Sequence, residues 1–88
     1  ARMVSGLADA IVRARADHAG IATEFVATRG ELEALLADVF SGQVDDSRHR
    51  LLQGWRREIA GDAVVALVQG KLAVRVTGRP PFIEEVEI

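Results

Sequence analysis

From Val4 to Phe40 the apolar residues of this chain recur at helical spacing, and after Gly70 they alternate with polar ones. Val4, Leu7, Ala8, Ile11, Val12 and Ala14 fall on one face of a 3.6-residue period, which predicts a helix from Val4 to about His18. Ser5 and Asp9 near its start and Arg13 and Arg15 toward its end suit the helix dipole. Gly20 is the expected stop, in a left-handed conformation. Thr23 is placed to cap a single helical turn that buries Phe25 and Val26. Thr28 followed by Glu31 reads as a capping box ahead of Leu32, Leu35, Leu36, Val39 and Phe40, which predicts a helix from about Arg29 to Phe40.

The polar run Ser41–Ser47 is a loop within one domain, and its Asp46 or Ser47 is expected to cap the next helix. Leu51, Trp55, Ile59, Ala63 and Leu67 then follow at steps of four, with Leu52 and Ala66 on the flank, and predict one core-facing stripe. The stripe passes through Gly61. Glycine inside a helix costs about 1 kcal/mol against alanine, so the chain is expected to bend there or to need a close backbone approach. Asp62 is an alternative start for a separate helix. After Gly70 the period becomes two: Leu72, Val74 and Val76, then Val86 and Ile88, predict two strands joined by the turn Thr77–Pro81.

These elements imply a mainly α fold, a small bundle of four to five helices with a C-terminal β-hairpin. Residues 1–88 form a single domain, with the hairpin at 71–88. A chain of 88 residues buries roughly 60–65% of its unfolded surface, enough for one modest core. There is no cysteine, so disulfides and thiolate metal sites are excluded, and with no signal-peptide pattern a cytoplasmic location is expected. No apolar run reaches membrane-spanning length. The first residue is Ala1, not methionine, and the expectation is a piece of a longer protein. A formal charge of −2 is not that of a strongly basic nucleic-acid binder.

Covalent chemistry has no evident carriers. Asp45 and Asp46 are neighbours in a loop, Glu84, Glu85 and Glu87 sit near the terminus, and His18 and His49 stand far apart, outside any ligand spacing and suited to lining a surface. No catalytic residue, metal ligand or cofactor is expected in this segment. The local exception to the acidic average is Arg48, His49, Arg50, Arg56 and Arg57, five of the thirteen basic or titratable-basic side chains (eleven Lys and Arg, two His) within ten residues. Arginine forks suit phosphate oxygens, while Asp45, Asp46 and Glu58 offer the alternative of surface ion pairs. Trp55, spaced by four from Leu51 and Ile59, is expected to anchor the core rather than to serve as a base-stacking platform.

Two blocks carry a family resemblance: GIATEFVATRGELEALL, beginning at Gly20, and LLQGWRREIAGDAVVAL, beginning at Leu51. Their order resembles the second helicase-and-RNase-D C-terminal (HRDC-like) domain of bacterial ribonuclease D. The resemblance implies a helical domain beside the catalytic domain of a 3′-to-5′ exoribonuclease that trims structured RNA such as tRNA precursors. It implies catalytic DEDD carboxylates and their divalent metal upstream, and RNA and the parent's catalytic domain as partners. Arg56 and Arg57 match the family's GWR-type segment, and Arg48 and Arg50 extend the suggested nucleic-acid-binding set. The hairpin is not part of the usual all-helical HRDC core. The alternatives are a structural or protein-interaction module without nucleic-acid binding, and the related domain of a RecQ-type helicase.

Overall fold

The computed structural model describes residues 2–88. Helix α1 spans Arg2–Ala19 and buries Ser5, Ala8, Ile11, Val12 and Ala16; of the face predicted by the apolar period Ala8, Ile11 and Val12 are buried, Val4 and Ala14 are half-buried, and Leu7 is exposed. Gly20 closes it at φ 71°, with the Ile21 N–H donating to the Ala16 carbonyl at 3.0 Å, the six-to-one bond of a left-handed helix ending. Helix α2, Thr23–Val26, is a single turn whose N-cap is Ala22 and has no side-chain cap. The expected Thr23 cap is therefore absent, because Thr23 already lies within the turn. Of the two residues expected to be buried there, only Val26 is; Phe25 is 67% exposed.

Helix α3, Arg29–Ser41, starts on the predicted capping box. Thr28 accepts from the Glu31 N–H, and the Glu31 carboxylate accepts from the Thr28 N–H. Its Leu32, Leu35 and Leu36 enter the core, while Phe40 turns outward. Ser5 of α1 hydrogen-bonds Glu33 of α3 and satisfies its buried hydroxyl. After the loop come two 3₁₀ turns, Asp46–Arg48 and Arg50–Leu52. Asp45, not Asp46 or Ser47, caps the first of them, accepting from the Ser47 N–H at 3.0 Å.

The tryptophan segment departs from one continuous stripe. Leu51 and Leu52 belong to the second 3₁₀ turn, and the helix begins only at Gly54 as α4, Gly54–Arg56. It passes through a π-helical segment, Arg57–Gly61, into α5, Asp62–Val68. Arg57, Gly61 and Asp62 all keep right-handed helical angles, so the axis runs on without a break and Asp62 starts no separate helix. Gly61 answers to the close approach instead: a Cβ there would stand 2.1 Å from the Leu51 carbonyl oxygen. The wide π turn and the interruption at Gln53 shift the phase of the buried face. Ala60, Gly61, Ala63 and Val64 are buried, whereas Trp55 is 42% exposed and does not anchor the core.

Strands β1, Leu72–Val76, and β2, Ile83–Glu87, form the predicted antiparallel hairpin, in register from Leu72 opposite Glu87 to Val76 opposite Ile83. Two strands alone are marginal in water. Arg15 of α1 holds the hairpin down: its Nε and Nη2 donate to the two Glu85 oxygens at 2.8 and 2.6 Å, and its Nη1 donates to the Ile59 carbonyl at 3.0 Å. The bonds to Glu85 raise the Arg15 pKa above the ordinary guanidinium value. One side chain thus joins α1, the π segment and the hairpin.

Candidate nucleic-acid interface

Residues 48–57 place four arginines on consecutive short turns, and each has different company. Arg50 forms a fork with Glu31, its Nε and Nη2 each 2.7 Å from a carboxylate oxygen. Arg57 reaches Asp46 at 2.7 Å and Asp62 at 2.9 Å. The Asp62 pair spans five residues, a separation that faces together on a π turn but not on an α-helix. Arg56 donates from Nε to the Phe25 carbonyl at 2.9 Å, and its guanidinium lies 4.2 Å from the Trp55 ring centroid. Arg48 is exposed and makes no ion pair among the described residues.

Two of the four suggested cations are therefore matched by carboxylates and two are not. Asp46 is the one anticipated neutralising partner that acts; Asp45 is occupied as a cap, and Glu58 makes no pair with these arginines among the described residues. Glu31 and Asp62 are partners that sequence order concealed, since Glu31 already had a role in the capping box. The loop is tied to the helix that follows: the Gln53 amide donates to the Asp46 and Ser47 carbonyls at 3.3 and 3.0 Å. This fixes the backbone beside Arg48 against α4.

The Arg50 hydrogen bonds, followed by those from Thr28, push the Glu31 carboxyl down to about 2 from its ordinary 4.5. A folded value below the ordinary one adds stability above about pH 4.5, and that stability is lost as the pH falls from 4.5 toward 2. Glu31→Gln retains a capping-box side chain but loses the ion pair. The gap in melting temperature between the parent and this variant is expected to be widest above pH 5 and to close by about pH 2. A gap that does not change across a series of thermal melts would count against the pair.

His49 does not line the surface. It is 7% exposed, with Nε2 2.6 Å from Asp38 Oδ2, so it serves as an internal tie between the 3₁₀ turns and α3. His18 remains exposed. Among the described residues no group of three or more His, Asp or Glu is arranged to hold a metal ion, and no helix is long and apolar enough to cross a membrane.

The family described as "Ribonuclease D, C-terminal HRDC domain" matches residues 7–64, which end before the hairpin. Together with the helical bundle, this match defines an HRDC-type domain. The chain belongs to the family of ribonuclease D C-terminal HRDC domains. Ribonuclease D of Jannaschia sp. (strain CCS1) is 32% identical over 76 residues, 86% of this chain and 18% of that protein. Ribonuclease D of Nitrobacter hamburgensis (strain DSM 10229 / NCIMB 13809 / X14) is 33% identical over 66 residues, 75% of this chain and 16% of that protein. The chain thus spans less than a fifth of the length of these curated relatives. No solved structure matches it.

Proposed function

We propose that this domain is a non-catalytic accessory part of a ribonuclease D-like 3′-to-5′ exoribonuclease and that it helps position structured RNA, such as a tRNA precursor, beside the catalytic domain. The observation that carries this reading is the pair of uncompensated arginines, Arg48 and Arg56, in a segment whose other two arginines are paired with carboxylates. Arg50 and Arg57 complete the candidate surface by exchanging a carboxylate partner for phosphate. The divalent ion and acidic residues of the cleavage reaction belong in this reading to the catalytic domain. On the hairpin, Val76 is 82% and Ile88 83% exposed, which supports a second contact, docking against the parent's catalytic domain.

Fluorescence anisotropy with a labelled RNA hairpin bearing a 3′ overhang, at about 50 mM salt, tests the RNA contact. With two uncompensated cations the affinity is expected to fall with salt at a log–log slope on the order of −2. Arg48→Ala with Arg56→Ala is expected to flatten most of that slope. No measurable binding, or binding indifferent to both substitutions, would leave only the docking role.

A further inference from the structure

Trp55 is the only tryptophan in the chain, and it stands 42% exposed at the start of α4. An indole left in water forfeits the large hydrophobic contribution that makes tryptophan a core or interface residue. Consecutive residues on a helix do not face each other, yet the Arg56 guanidinium lies 4.2 Å from the Trp55 centroid. The long arginine stem folds back over the ring, and the Nε bond to the Phe25 carbonyl at 2.9 Å holds it there. Nη1 and Nη2 have no protein partner among the described residues. Phe25, whose backbone this bond ties to the site, is itself 67% exposed.

We infer that the seam of α2 and α4, formed by Trp55, Arg56 and Phe25, is a stacking platform for an unpaired RNA base. The inference rests on the RNA-contact reading and adds the form of RNA that is held. Every base offers a π face, and aromatic rings and guanidinium planes are the surfaces on which proteins stack bases splayed from single strands. A duplex hides those faces, so only its ends or flanking single strand reach the platform. The free Nη donors of Arg56 are available to a phosphate or a base edge. Tryptophan beside arginine is also the composition of a protein-interface anchor; what favours a nucleic acid here is the Arg56 guanidinium, which lies over the ring with no carboxylate partner among the described residues and keeps its Nη donors for phosphate or a base edge.

Because Trp55 is the sole tryptophan, the intrinsic fluorescence of the chain reports on this site alone. Titration with a 12-mer oligo(A) at about 50 mM salt is expected to quench it saturably, and a blunt RNA duplex, which offers only its two terminal pairs, is expected to quench it far less at the same nucleotide concentration. By anisotropy with labelled oligo(A), Trp55→Ala is expected to weaken binding about tenfold, within the roughly 5- to 150-fold range that one stacked base accounts for. Trp55→Phe is expected to recover most of the loss. Single-strand binding that neither quenches the indole nor weakens in Trp55→Ala overturns the platform and leaves the phosphate contact standing. Absence of anisotropy change with either RNA overturns both. Should Trp55→Ala unfold by circular dichroism, quenching in the parent chain decides the question.

Discussion

Gly61→Ala is expected to destabilise the domain by about 3 kcal/mol or more, although alanine is the better helix former by about 1 kcal/mol. The sign is set by a single atom. A Cβ at Gly61 would lie 2.1 Å from the Leu51 carbonyl oxygen, 3.1 Å from its carbon and 3.2 Å from Leu52 Cδ2. The nearest obstacle is backbone, and it belongs to the 3₁₀ turn whose Leu51 and Leu52 are themselves buried. It cannot swing aside as the tip of a long side chain does, so the methyl group displaces the turn from the π segment and opens the core on both sides. In a domain of this size 3 kcal/mol corresponds to a fall in melting temperature of roughly 12–24 °C. Gly6→Ala is the matched control: Gly6 lies within α1 and its added Cβ meets nothing within 4 Å, so propensity alone acts and the variant is expected to gain up to about 1 kcal/mol. Thermal or urea denaturation of the two variants side by side checks the contrast. A neutral Gly61→Ala would mean that the packing of the turn on the helix is wrong.

Leu35→Ala is expected to cost about 3 kcal/mol, within the 2–5 kcal/mol range for deleting a buried leucine. Leu35 is fully buried and belongs to the cluster that includes Val12, Leu32, Leu51 and Val64. These residues come from α1, α3, the second 3₁₀ turn and α5, so the cavity is walled by elements with independent positions and cannot close by moving one of them. Phe40→Ala on the same helix removes a larger side chain that is already 54% exposed, and is expected to cost well under 1 kcal/mol. Equal losses in the two variants by urea denaturation would contradict the assignment of the α3 faces.

The difference between Leu35 and Phe40 shows how far the sequence pattern reaches. Apolar spacing named both as core-facing, and it was right for the residues nearest the centre of α3. Two helix ends were legible, because capping chemistry is local: Thr28 with Glu31 sets the start of α3 and Gly20 the end of α1, whereas the caps expected at Thr23 and at Asp46 or Ser47 fall on neighbouring residues. The hairpin was legible for the same reason, since alternation is a property of neighbouring residues. What the sequence hid is long-range. The step-of-four stripe through Trp55 assumes an unbroken α-helix, whereas the 3₁₀ turn at Arg50–Leu52 and the π segment at Arg57–Gly61 change the phase and carry the indole out of the core. Glycine at position 61 signalled a close approach, but the identity of the approaching group, a carbonyl ten residues earlier, depends on tertiary packing.

The candidate surface follows the same division. A cluster of arginines between residues 48 and 57 is visible in the sequence, and so is one of its counter-charges, Asp46. That Glu31 takes Arg50, and that Asp62 joins Asp46 on Arg57, depends on how α3 and the π turn are brought alongside. The result separates Arg50 and Arg57, which are paired with carboxylates, from Arg48 and Arg56, which make no ion pair among the described residues. Arg15 with Glu85 was not legible at all, because seventy positions separate the two residues.

RNA is proposed to meet this domain at the Trp55–Arg56 platform, with Arg48 as a further phosphate contact. An ¹H–¹⁵N correlation spectrum of the chain during titration with single-stranded RNA tests it most directly, since the one indole N–H gives one side-chain signal in an otherwise clear region. This signal is expected to move together with the amides of Phe25, Arg48, Trp55 and Arg56, while those of the hairpin stay in place. Shifts confined to residues 72–87, or a spectrum unchanged at saturating RNA, would contradict it.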